Sequence, residues 1–154
     1  MSSIYFDVAY ATRAHDKILE VSGGLPGVID AGRLDSILEH IRNDDYYFSF
    51  EEKLTHLVYA VNKGHCFQDG NKRTSIALGA FFMEVNGLDV IVSKFIIEME
   101  NISVAVADNL IDKELLRSLI ISILTEEEYS ENLKLQLISS LDQGGPPDEN
   151  LPQY

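Results

Sequence analysis

Apolar residues recur at helical spacing along most of the chain. Ile4, Val8, Ala11, His15 and Ile18 share one stripe and predict a first helix over residues 4–20. Leu34, Ile37, Leu38 and Ile41 predict a second, and Leu54, Leu57, Val58 and Val61 a third. Phe95, Met99, Ile102 and Val106 mark another helix, followed by one that carries Leu115, Leu116, Leu119, Ile120 and Ile123. The segment Ser75–Val85 departs from this pattern, being apolar on nearly every face, so a helix over 71–86 is expected to be buried all round. No strand-period alternation persists for any length. The expected fold is therefore all-α, a compact bundle around the 71–86 helix.

Helix boundaries carry their own signals. Gly23-Gly24 and Pro26 end the first helix, Asp30 caps the second, and Asn43-Asp44-Asp45 breaks it. Ser49-Phe50-Glu51-Glu52 is a capping box that opens the third helix, and Asn86-Gly87 closes the central one. Leu88 to Val92 reads as a short extended connection, Ser93 as the cap of the following helix, and Asp112 as the cap of the one after. Thr125-Glu126-Glu127-Glu128 is a second capping box, predicting a last helix over 125–142 with Tyr129, Leu133, Leu137 and Leu141 at four-residue spacing. Residues 143–154 are turn-rich and expected to be disordered. Tyr46-Tyr47-Phe48 and Phe50 read as a core plug or loop anchor, with a binding role kept open. His15, His56 and Tyr59 read as packed structural groups, and Lys63 as a solvated lysine.

The chain's polar chemistry is concentrated in Gly64-His65-Cys66-Phe67-Gln68-Asp69-Gly70-Asn71-Lys72-Arg73-Thr74, at the mouth of the central helix. A helix's first turn offers unpaired N–H groups and partial positive charge, a ready anion site. Gly70 leaves room for a phosphate to approach, and Lys72 and Arg73 add formal charge at the same end. Asp69 suits a phosphate site only with a cation between them, as for Mg2+ held jointly with phosphates. His65 titrates nearest neutrality and is the natural acceptor of a proton from an attacking nucleophile. Asn71 can bond either loop backbone or a phosphate oxygen. Phe67 is placed to pack inward and aim the imidazole, and Cys66 reads as a passive filler. Together these parts describe phosphoryl or nucleotidyl transfer.

The run His65-Cys66-Phe67-Gln68-Asp69-Gly70-Asn71-Lys72-Arg73 resembles the His-x-Phe-x-acid-small-Asn-Lys-Arg signature of the Fic/Doc family, in its Doc (death on curing) branch. Gly23 to Asp30, then Gly32-Arg33-Leu34, and Asn86-Gly87 are similar to other segments of Doc proteins, and the resemblance extends over roughly residues 5 to 125. It implies a Fic/Doc-type catalytic domain over 1–124, with the 125–142 helix packed on it as an addition. It also implies ATP and Mg2+ as cofactors, with His65 catalytic, Asp69 on the metal, and Gly70, Asn71, Lys72 and Arg73 around the phosphates. A loop before the motif holds the target peptide in such folds, which bears on the Tyr46–Phe50 patch.

Adenylylating members usually carry Gly where this chain has Lys72. In the Doc branch a lysine there goes with reversed ATP, so that the γ-phosphoryl group moves onto a threonine of a translation elongation factor. Cys66 stands where the adenylylating branch has Pro, Gly70 matches that branch better than the Ala found in some Doc proteins, and AMP transfer stays open as the alternative. The resemblance implies a toxin with a protein substrate bearing a Thr or Ser hydroxyl and an antitoxin polypeptide that blocks the site. In some relatives a terminal helix bears Ser/Thr-x-x-x-Glu-Gly/Asn and shuts the site itself. Here Glu131-Asn132 is preceded by Glu127 where Ser or Thr is required. Two further readings are a catalytically idle, nucleotide-regulated binding module and metal-dependent hydrolysis at His65 and Asp69.

Composition narrows the partners. At 154 residues the chain is expected to form one domain. A net charge of −13 with only 12 basic residues argues against a nucleic-acid partner. No apolar run of about 18 residues and no basic start before an apolar core appear, so no membrane partner is expected. The lone Cys66 makes no internal disulfide, and a cytoplasmic address is expected.

Overall fold

The computed structural model describes residues 2–142. Its helices are α1 (Val8–Ser22), α2 (Ala31–His40), α3 (Phe50–Lys63), α4 (Asn71–Val85), α5 (Val92–Ala107), α6 (Lys113–Thr125) and α7 (Glu131–Asp142). Among the described residues no strand forms, and an isolated antiparallel bridge joins Val28 to Phe67. The fold is all-α, and none of these helices is long and apolar enough to cross a membrane. The 143–154 tail expected to be disordered lies outside the described residues.

α4 is the central element. α1, α3 and α5 all pack on it, and from Thr74 to Met83 no side chain is exposed. The close fit has a local cause in Gly79, where a Cβ would come within 2.8 Å of a Val58 methyl and 3.1 Å of the Phe95 ring. Any larger residue there would push α3 and α5 apart. Phe82 lies fully buried at the far end of α4, stacked on Phe50 with centroids 4.8 Å apart and flanked by Tyr5 at 5.9 Å. Asn86 and Gly87 end the helix in a Schellman motif: Leu88 N–H bonds the Met83 carbonyl at 2.9 Å and Gly87 N–H the Glu84 carbonyl at 3.2 Å. The Asn86 side chain then clasps the chain start, accepting from Ile4 N–H at 2.7 Å and donating to the Ile4 carbonyl at 3.0 Å.

Several boundaries differ from those expected. α1 begins at Val8, where Asp7 accepts from Tyr10 N–H, because Tyr5 and Phe6 leave the helical path to pack against Phe81 and Phe82. The connection after α4 is a 3-10 turn over Asp89–Ile91 rather than an extended segment. It runs directly into α5, so Ser93 lies inside that helix and does not cap it. Thr125 is the last residue of α6, its hydroxyl bonded to the Ile121 carbonyl at 2.7 Å, and Ser130 caps α7 by accepting from Leu133 N–H at 3.1 Å. The terminal helix therefore starts at Glu131, not at 125, and it packs on α6.

α3 carries the chain from the capped Ser49 to the polar motif. The capping box is present in full: Ser49 Oγ accepts from Glu52 N–H, and the Glu52 carboxylate accepts from Ser49 N–H. Lys53, a buried cation with no sequence signal, bonds the Ile41 carbonyl at the end of α2 and pairs with Asp44, both at 2.7 Å. Phe50 and Tyr47 of the aromatic patch pack inward, while Tyr46 and Phe48 stay exposed. Lys63, expected in solvent, instead donates to Asn109 Oδ1 and to the Val106 carbonyl.

Candidate active site at the mouth of α4

Between the end of α3 and the start of α4 the chain makes a tight loop over residues 64–70. His65 takes a positive φ of 49°, a left-handed conformation that favours glycine. The residues after it are anchored: Cys66 and Phe67 are fully buried, so the exposed imidazole stands on a fixed base. Burial holds the Cys66 thiol above its ordinary range, in keeping with an inert filler.

Asn71 settles into the loop backbone, accepting from Phe67 N–H at 3.1 Å and donating to the Phe67 carbonyl at 2.9 Å. Backbone bonding is one of the two roles left open for it. The loop over 23–30 runs alongside and is stitched to the motif. Gln68 N–H bonds the Gly27 carbonyl at 3.0 Å, and the Cys66 carbonyl accepts from Ile29 at 2.8 Å and Asp30 at 3.1 Å.

Gly70 sits at φ 77° and is the N-cap of α4, and no side chain caps the helix. The first-turn amides are thus left for another acceptor, at the positive end of the helix dipole. His65, Asp69, Gly70, Asn71, Lys72 and Arg73 all line one hollow of about 340 Å³ at that end, closed on the far side by Asn62 and Ala107. All six residues singled out from the sequence therefore share one pocket. Lys72 is exposed and forms no ion pair among the described residues. Arg73 turns part of its guanidinium toward the end of α1, where it donates to Ser22 Oγ and, at 3.2 Å, to the Gly23 carbonyl.

Asp69 does two jobs at once. Its carboxylate accepts from Leu25 N–H at 3.2 Å and from Gly70 N–H at 2.8 Å, and these amide bonds, Leu25's foremost, hold its pKa below the usual 3.8. The fit around it is close, since a Cβ on Gly24 would lie 2.7 Å from Asp69 Oδ2. A carboxylate has further lone pairs, so two amide bonds leave acceptor capacity at the pocket rim. Among the described residues no three His, Cys, Asp or Glu side chains gather to hold a metal. A cation at Asp69 would then draw its other ligands from a bound anion and water, which fits Mg2+.

Because the folded-state pKa of Asp69 is depressed, its hold on the two amides is complete above the ordinary carboxylate range and is lost as pH falls through the lowered value. In an acid titration followed by NMR, the Leu25 and Gly70 amide signals should move together at a pH below 3.8. Movement at or above that pH would show that these bonds are not kept in solution.

His15 is the site's unforeseen support. It is fully buried in α1, stacks on Phe67 with centroids 4.0 Å apart and planes 10° apart, and its Nε2 lies 2.6 Å from the Asp69 carbonyl. A carbonyl only accepts, so Nε2 donates to it, while Nδ1 has no hydrogen-bond partner and lies 3.5 Å from Asp16 Oδ1. Its hydrophobic-stripe position showed that it would be packed. Nothing local showed that it would hold a residue 54 positions away. Glu131 of the terminal helix pairs with Lys134 at 3.4 Å, on a helix packed against α6, and not with Arg73.

Comparison with known proteins gives the arrangement its relatives. The model of a family described as the Fic/DOC family matches residues 5–83, which takes in α1 to α3, the motif loop and most of α4. A protein named protein kinase doc, from Escherichia phage P1, is 37% identical over 83 residues. That match covers 51% of this chain and 65% of the relative, so the chain spans slightly less than two thirds of the relative's length.

Proposed function

The chain belongs to the Fic/DOC family, and on that premise we propose that it transfers the γ-phosphoryl group of ATP to a Thr or Ser hydroxyl of a protein target. The observation that carries this reading is the convergence of His65 with the uncapped start of α4 and the Lys72 ammonium on one hollow. In the step proposed, the target hydroxyl oxygen attacks the γ-phosphorus, the bond to the β–γ bridging oxygen breaks, and ADP leaves. His65 takes the hydroxyl proton on an imidazole nitrogen as the general base. The first-turn amides of α4, with Lys72 and Arg73, balance charge on the phosphates, and the rest of the rate gain comes from positioning. Mg2+ on Asp69 would neutralise phosphate charge when bound.

Lys72 favours the γ-phosphoryl over the AMP reading, because a long cation here takes up space that the adenylylating signature leaves open with glycine. The similarity to a protein named as a kinase supports the same branch. The family also supports a toxin whose partner is an antitoxin polypeptide, with a translation elongation factor as the first target to try. That Glu131 is occupied elsewhere favours a blocking chain supplied from outside over closure by α7.

The test uses the protein, candidate targets including an elongation factor, and ATP labelled either at the γ- or at the α-phosphate. Transfer of γ-label alone is the expected result. Transfer of α-label would make the protein an adenylyltransferase, and transfer of neither to any target in an extract would favour the idle binding module.

A further inference from the structure

A second, larger hollow of about 580 Å³ lies at the opposite end of α3, between its first turns, the loop at Tyr46-Tyr47 and the first turns of α6. Three tyrosines, Tyr46, Tyr47 and Tyr59, share its lining with the cations Lys113 and Arg117 and with carboxylates, Glu114 among them. Tyr47 stacks on His56 with centroids 4.4 Å apart, and Lys113 sits 5.0 Å from the Tyr47 ring centre and 5.9 Å from that of Tyr59. The Lys113 ammonium and the Tyr47 hydroxyl both approach the same atom, His56 Nδ1, each at 2.9 Å. Burial, and next the Lys113 charge, hold His56 down at about 4, so its ring is neutral near pH 7 and owns one lone pair and one N–H. The Tyr47 hydroxyl oxygen also accepts from Lys113 at 3.5 Å, so the ammonium and the phenol share two acceptor groups, His56 Nδ1 and that oxygen. Lysine brings three N–H donors and no acceptor, and the other ring nitrogen of His56 is buried with no partner. Whichever nitrogen carries the proton, the cluster has more donors than acceptors.

The carboxylates nearby do not correct this. Asp112 caps α6 by accepting from Leu115 N–H at 2.8 Å, and Glu52 serves the α3 cap and pairs with Arg117 at 3.5 Å. Among the described residues no carboxylate comes within ion-pair distance of Lys113, and burial holds its ammonium below the ordinary lysine range. Lys113 is half-buried and bonded only to neutral groups, so a carboxylate entering the hollow would give it the ion-pair partner it lacks.

We propose that this hollow is a binding site for a small aromatic carboxylic acid, its carboxylate taken by Lys113 and the Tyr47 hydroxyl and its ring laid among Tyr46, Tyr47 and Tyr59. A carboxylate supplies the missing acceptors, and the tyrosine faces suit a flat apolar body. The volume is within the usual range of small-molecule sites, and the reading stands apart from the chemistry at α4.

The test is a titration of the full chain with sodium benzoate, followed by the side-chain nitrogen signals of His56 and the backbone amides of 46–59 and 112–117. Saturable shifts confined to these signals are expected, with benzyl alcohol, which has the ring without the charge, giving none. Lys113→Met keeps the aliphatic stem and should weaken binding about tenfold or more, the usual effect of losing a charged hydrogen bond. Tyr47→Phe removes only the hydroxyl and should weaken it less. Absence of saturation with benzoate, or equal affinity in Lys113→Met, would overturn the site. Saturation by the blocked dipeptide acetyl-Glu-Phe-amide and not by benzoate would overturn the small acid in favour of a polypeptide segment.

Discussion

His65→Ala should lower the rate of label transfer from γ-labelled ATP by about 10²–10⁴-fold, the range for loss of a positioned general base. The fold should survive, because the His65 side chain is exposed and makes no hydrogen bond among the described residues that the loop depends on. Thermal melts of parent and variant should agree within a few degrees, so a rate loss would report chemistry. The ATP concentration giving half-maximal rate should change little, since the α4 amides, Lys72 and Arg73 that face the phosphates are untouched. A variant that transfers label at the parent's rate, on a target the parent labels, would remove the imidazole from the mechanism. Glutamine at 65 makes a useful companion, as it keeps polarity and bulk without a proton acceptor of suitable pKa.

The second large effect is on stability. Phe67→Ala is expected to cost about 3–5 kcal/mol, as buried Phe-to-Ala changes do when the surroundings cannot collapse. Phe67 is fully buried, lies against the His15 ring, bonds Asn71 through its backbone, and sits between Cys66 and Gln68, whose backbones bond the loop over 23–30. Truncation would leave a void under the site and release the face of an imidazole that holds the Asp69 carbonyl. Urea denaturation should show a lower midpoint with a similar slope, and the melting temperature should fall on the order of 10 °C for a chain of this size. A loss under about 1 kcal/mol would mean that the loop does not rest on this ring.

The local parts of the molecule could be read from the sequence because each depends on neighbours within a turn or two. Ser49 and Glu52 are three residues apart and make the capping box they promise, and Asn86-Gly87 makes its Schellman turn. The motif was legible for the same reason, with six site residues inside nine positions around one helix start. Thr125 shows where local reading fails. It has the spacing of a capping residue, yet Leu119, Ile120 and Ile123 draw α6 onward along the core, so that Thr125 ends one helix instead of opening the next. Ile4 shows the converse: it fits the α1 stripe in sequence but is exposed, since the aromatic packing of Tyr5 and Phe6 sets the path there. The supports of the site were invisible because they are distant in the chain. Leu25 reaches Asp69 across 44 positions, Ser22 reaches Arg73 across 51, and His15 reaches Asp69 across 54. No spacing rule encodes pairs so far apart, and only the packing of α1 on α4 brings them together.

The backbone at His65 has one more implication. A non-glycine residue with positive φ costs of order 1–3 kcal/mol, and the surrounding loop must override that preference. Laboratory evolution of this chain for heat resistance alone should therefore drift toward glycine at 65, gaining robustness and silencing the pocket in the same step. A screen that couples survival at high temperature to retained label transfer would keep the histidine and be forced to find its gains elsewhere.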